Sequence, residues 1–149
     1  MGTIVQTRLG GAKRRMTDGE RTVYELAGGE PVFTRLVDAF YARIYADDYL
    51  RPMFPEDMEE GKRWQRLFLT QLFGGPTDYA AERGHPRLRM RHYPFPITQR
   101  ARNHWLLHML DAIDEAGIGE PARSTMRQYF ENASTHMINL DVEPGDIGE

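Results

Sequence analysis

The chain has 149 residues, 40% of them hydrophobic and 28% charged, with a formal net charge of −3. That size and balance fit one domain with a substantial core, and the negative charge argues against nucleic acid as the main partner. Cysteine is absent, which excludes disulfides, thiolate catalysis and cysteine zinc sites.

Residues 1–17 carry Arg8, Lys13, Arg14 and Arg15 without an acid, and 141–149 carry Asp141, Glu143, Asp146 and Glu149. Both are rich in glycine or polar residues and are expected as flexible tails, one basic and one acidic. Between them, residues 18–140 read as a single all-α domain, with helical periodicity and no convincing strand alternation. No apolar run reaches membrane-spanning length and the N-terminus lacks the apolar core of a secretory signal, so the expected location is cytoplasmic.

The first helix is expected over Arg21–Ala27, stopped by Gly28-Gly29, with a new start at Pro31. The next carries Phe33, Leu36, Val37, Phe40, Tyr41 and Ile44 on one stripe and gives way near Asp47-Asp48. Two prolines make Arg51-Pro52-Met53-Phe54-Pro55 an irregular corner. A third helix is expected over Asp57–Phe73, with Gly61, Gln65, Phe68, Leu69 and Leu72 inward, ending at Gly74-Gly75-Pro76. Thr77–Gly84 reads as loop and Pro86–Arg91 as a short helix. Thr98 looks like the N-cap of a long helix with Ala101, Trp105, His108 or Met109, Ala112 and Ala116 inward. After Gly117 and Gly119, Pro121 begins a last helix with Met126, Tyr129, Ala133, Met137 and Leu140 inward.

The segment from Gly84 to Ile97 carries the strongest chemical signal. It places His92 where a helix must stop, because Pro94 disfavours helical backbone at Tyr93. Of the histidines at 85, 92, 104, 108 and 136, His92 alone combines a helix end with apolar flanks, Leu88 and Phe95. Its Nδ1 is expected to donate to a backbone carbonyl, leaving Nε2 for a metal. Gln65, Tyr41 and Trp105 each put a hydrogen-bond donor on an otherwise apolar face, where an unpaired polar group is costly. One imidazole below and three donors above is the residue list of a haem pocket. His104 and His108 stand at i,i+4, but Trp105 occupies the slot where a zinc protease has glutamate, so that pattern fails. The arginines at 83, 87, 89 and 91 form a basic edge, of which Arg89 and Arg91 are candidates to pair haem propionates.

Read in order, Gly28-Gly29, Phe40-Tyr41-Ala42, Phe54-Pro55-Glu56-Asp57, Phe68-Leu69, Gly74-Gly75-Pro76, Gly84 through Ile97, and Trp105 resemble a truncated haemoglobin of group II. The resemblance covers residues 22–140. It implies a two-over-two helical sandwich, the truncated globin fold, enclosing haem b. His92 becomes the proximal iron ligand, Tyr41 the distal tyrosine and Trp105 the distal tryptophan. Phe54 takes the corner position, where some members have tyrosine. Gln65 takes a distal-helix position that is often leucine. Gly61 falls where many globins place a distal histidine and suggests an open haem edge. Phe68, Leu69, Leu88, Arg91, Phe95, Ile97 and Met109 complete the expected haem contacts.

The expected function is reversible binding of O2, with CO, NO and sulfide as further ligands, for oxygen transport or storage. The alternative is a haem oxidoreductase that uses bound oxygen for nitric oxide dioxygenation or peroxide reduction. With no flavin or nicotinamide domain in the chain, turnover then needs a separate reductase. A second copy of the chain, giving a homodimer, is the other protein partner to test. A haem-free helical interaction module leaves Tyr41, Gln65 and Trp105 without a common purpose.

Overall fold

The first helix begins where Thr22 closes a reciprocal cap. Its Oγ1 accepts from the Glu25 N–H at 3.2 Å, and Glu25 Oε1 accepts from the Thr22 N–H at 3.0 Å. Two donors left open at every helix start are thereby satisfied. The cap sets α1 at Val23–Ala27, two residues later than expected. Gly28 then turns the chain at φ 124°, a conformation open to glycine, in a place where a side chain would collide with Val32.

The computed structural model describes residues 21–141 and 143. The expected basic tail 1–17, and the acidic tail apart from Asp141 and Glu143, lie outside the described residues. After α1 come α2 (Glu30–Tyr45), a 3-10 turn at Arg51–Met53, α3 (Glu59–Leu72), α4 (Asp78–Arg83) and α5 (Leu88–His92). The long helices α6 (Gln99–Glu115) and α7 (Ala122–His136) close the fold. No strand occurs among the described residues, and no described helix is long and apolar enough to cross a membrane.

The pairs α2 with α3 and α6 with α7 stack through the α2–α6 contact, giving the two-over-two sandwich. All six residues of the expected α2 stripe are at most 6% exposed. Thr98 caps α6, its Oγ1 accepting from the Ala101 N–H at 3.1 Å. On α6 it is Met109, fully buried, that faces the core, whereas His108 is half-buried and meets Asp47.

Three local expectations are corrected. Residues expected as loop form α4, because Tyr79 is 3% exposed and packs on Phe68 and Trp64 at ring distances of 5.5 and 6.0 Å. Gln71 Oε1 also accepts from the Ala80 N–H at 2.8 Å. Tyr93 is helical at φ −56° and ψ −37° despite preceding Pro94, so α5 ends at His92 without an extended residue there. On α7 the deepest residues are Ala122, Met126, Phe130 and Ser134. Tyr129, Ala133 and Met137 are half-buried on a second strip, one that borders a cavity.

Candidate functional site

Between α2, α3, α6, α7 and the α5–α6 connection lies a cavity of about 390 Å³, within the range of roughly 300–1,000 Å³ usual for ligand pockets. Its wall is largely apolar. Of the five histidines, His92 alone borders it. Tyr41 from α2, Gln65 from α3 and Trp105 from α6 also reach it, together with Phe54, Phe68, Leu69, Leu88, Phe95 and Ile97.

His92 Nδ1 lies 2.7 Å from the Leu88 carbonyl, one helical turn earlier. A carbonyl can only accept, so Nδ1 carries the proton and Nε2 keeps a lone pair. The five-residue α5 is a weak platform by itself. Asn139 reinforces it from the far end of the chain. Its Nδ2 donates to the carbonyls of Phe95 at 3.0 Å and His92 at 3.4 Å, while its Oδ1 accepts from the Ile97 N–H at 3.0 Å. The N–H groups of Asn139 and Leu140 in turn donate to the Ile97 carbonyl. No short-range pattern flags Asn139, since its partners stand more than forty residues away.

The polar side chains are held by aromatic packing. Tyr41 is 6% exposed, and burial pushes its hydroxyl pKa up to about 12. Its ring meets Phe40 at 5.3 Å and Phe54 at 6.0 Å, both edge-on. Trp105 packs on Phe40 at 5.2 Å and Phe130 at 5.9 Å. Gln65 Oε1 is buried with no hydrogen-bond partner among the described residues.

Four expected contacts fall elsewhere. Met109 belongs to the core beyond the cavity. Gly61 does not border the cavity; its open side faces the Tyr41 hydroxyl, so the missing side chain makes room for a tyrosine. Arg89 donates to the His136 carbonyl and Arg91 Nε to the Pro86 carbonyl at 2.8 Å; both residues are exposed on α5. Arg102 is the arginine that borders the cavity, braced by Ser134 Oγ at 3.1 Å and the Glu131 carbonyl at 3.0 Å. Trp64, Tyr79, Tyr129 and Phe130 also line it, beyond the residues expected from the sequence. The α7 periodicity carried the signal for Tyr129 but did not separate a core strip from a cavity strip.

The remaining histidines are engaged away from the cavity. His85 Nδ1 accepts from the Arg87 N–H, and His136 Nδ1 bonds the Asn132 carbonyl. His104 Nδ1 and His108 Nε2 both meet Asp47 Oδ2, at 2.8 and 2.7 Å. Burial by itself raises the Asp47 carboxyl. Hydrogen bonds from His108, His104 and the Leu50 and Tyr49 N–H groups outweigh it and hold the carboxyl well below the usual carboxylate range.

An imidazole with one fixed tautomer, an apolar slot and an orphaned buried amide oxygen fit a flat apolar macrocycle whose metal needs one nitrogen ligand. Over residues 22–139 the chain matches the bacterial-like globin family, and it belongs to that family. Within it the chain groups with the truncated haemoglobins of group II, and haem b is its cofactor. The group 2 truncated hemoglobin YjbI of Bacillus subtilis is 44% identical, over 74% of this chain and 84% of that protein. The crystal structure of hemoglobin from the thermophilic phototrophic bacterium Chloroflexus aurantiacus superimposes with a TM-score of 0.80 at 60% identity, covering 80% of this chain and 99% of that one. A truncated oxygen-avid haemoglobin from Bacillus subtilis gives a TM-score of 0.77 at 43% identity, covering 80% and 100%.

Proposed function

We propose that this chain binds dioxygen reversibly for transport or storage, with CO, NO and sulfide as further ligands, at haem held through His92. Bound haem supplies an iron with an open coordination position for a small ligand. The chain's own residues do the rest. The Leu88 carbonyl fixes the His92 tautomer and Asn139 anchors the segment that carries it. Phe54, Phe68, Leu88 and Phe95 give the slot its apolar walls.

Tyr41 and Trp105 offer hydrogen-bond donors to a ligand that gains negative charge. Gln65 joins them when its amide is turned so that Nε2 takes the orphaned position, since the two ends of an amide are nearly the same in shape. The observation that carries the reading is this set of donors in the same cavity as the one available imidazole nitrogen. Hydrogen bonds to a charged acceptor are worth about 1.5–3 kcal/mol each. Since about 1.4 kcal/mol corresponds to a factor of ten, two of them slow release by two to four orders of magnitude. The oxygen avidity of the Bacillus subtilis relative supports the same direction.

The test is dioxygen release from the haem-loaded protein, followed by stopped flow. The variant carrying both Tyr41→Phe and Trp105→Phe is expected to release oxygen at least about a hundredfold faster. An unchanged rate removes the donor role. A purified His92→Ala variant that takes up haem with an unaltered absorption band removes the assignment of His92 as the residue that holds haem.

A further inference from the structure

His104 and His108 project from one side of α6, and Asp47 approaches them from the segment just after α2. Two imidazole nitrogens aim at the same carboxylate oxygen. The three potential ligand atoms, His104 Nδ1, His108 Nε2 and an Asp47 oxygen, all lie within 4.8 Å of one another. Around a tetrahedral ion with bonds of about 2.0–2.2 Å, ligand atoms stand roughly 3.3 Å apart. The observed 2.7 and 2.8 Å separations need to open by only about half an ångström to admit such an ion.

The carboxylate is held in place for this. Asp47 Oδ1 accepts from the N–H groups of Tyr49 at 2.8 Å and Leu50 at 3.1 Å, which turns Oδ2 toward the histidines. The Tyr49 ring lies 4.7 Å from the His104 ring and restricts its rotation. Fixing ligand orientation from outside the coordination shell is how proteins raise metal affinity. The three side chains border a solvent-open depression of about 620 Å³ that shares no lining residue with the haem cavity. Asp48 and Asp111 add negative charge at its rim, and Arg43, the cation there, is paired with Glu115 at 2.6 Å.

We propose that Asp47, His104 and His108 form a second metal site, which takes zinc or a similar borderline divalent transition ion. Two imidazoles and one carboxylate suit such ions, whereas magnesium and calcium prefer all-oxygen shells. Three protein ligands leave the fourth position to water or to a ligand entering from the depression. The i,i+4 pair carries no glutamate at the next position, so the third ligand comes from a residue 57 positions earlier in the chain.

The test is calorimetric titration of the haem-loaded full-length chain with zinc chloride, with magnesium chloride as control. One zinc per chain is expected, in the micromolar range or tighter, with no saturable magnesium binding. His104→Ala and His108→Ala are each expected to weaken zinc at least tenfold. Asp47→Asn is expected to do the same while keeping the oxygen that caps Tyr49 and Leu50. Absence of one-to-one binding, or variants that bind as tightly as the wild type, overturns the site and leaves a hydrogen-bonded tie between two helices. Should a variant fail to fold, the zinc absorption edge of the wild-type complex decides: two imidazole ligands uphold the site and fewer than two overturn it.

Discussion

A β-carbon on Gly61 would lie 3.2 Å from the Tyr41 hydroxyl oxygen, so α3 omits a side chain where α2 delivers its hydroxyl. The two residues form one device. Gly61→Ala brings a gain in helix propensity of about 1 kcal/mol. The tight contact with Tyr41 offsets it, so stability is expected to change by less than about 1 kcal/mol. Ligand release is expected to quicken several-fold, because the hydroxyl must shift by a few tenths of an ångström. Chemical denaturation and stopped-flow release, measured on the same variant, separate the two effects.

Burial places the Tyr41 pKa near 12, against about 10 in an unfolded chain. Between those values the unfolded state has lost a proton that the folded state keeps. The Tyr41 contribution is therefore fully present below pH 10 and is lost as pH rises toward 12. The haem-free chain is expected to lose on the order of 1 kcal/mol from this group by pH 11. Comparing denaturation of wild type and Tyr41→Phe at pH 9 and 11 isolates it from the other tyrosines. In the loaded protein the Tyr41 share of ligand retention is expected to be constant from pH 6 to 9, since its hydroxyl stays protonated.

Gln65 Oε1, buried without a partner, predicts effects of opposite sign. Replacing an unsatisfied polar group by an apolar one of similar volume removes a desolvation cost of about 1–3 kcal/mol. Gln65→Leu is expected to stabilise the haem-free chain by about 1 kcal/mol and to speed ligand release from the loaded protein. Unfolding midpoints and release rates that both move the other way would refute the donor assignment.

Asn139 ties three backbone groups of the His92–Ile97 segment. Asn139→Ala leaves those groups partly unpaired and is expected to cost about 1–3 kcal/mol. Because the loss falls on the segment bearing His92, haem is expected to transfer faster to an acceptor apoglobin, by tenfold or more. Asn139→Asp keeps the oxygen that accepts from Ile97 but sets a second carboxylate oxygen against the Phe95 and His92 carbonyls, so it is expected to speed haem transfer at least as much.

The apolar stripe of α2, the Thr98 cap and the Gly74-Gly75-Pro76 stop were all legible in the chain. Each is a local rule in which propensity, capping and periodicity agree over a few residues. His92 stood out for the same reason, a histidine at a helix end flanked by apolar side chains. Helix α4 did not, because Asp78–Arg83 has weak periodicity and forms through the packing of Tyr79 and the bond from Ala80 to Gln71.

Contacts between distant segments were beyond any reading of the linear order. The latch of Asn139 on the His92 carbonyl, the fit of Tyr41 over Gly61 and the meeting of Asp47 with His104 and His108 all depend on how helices cross. Local composition therefore announced a helical fold, its caps and a histidine set at a helix end beside a cavity. Which groups brace those residues, and which polar side chains meet outside the cavity, was decided by packing, because side chains tens of residues apart acquire partners only once the helices are stacked.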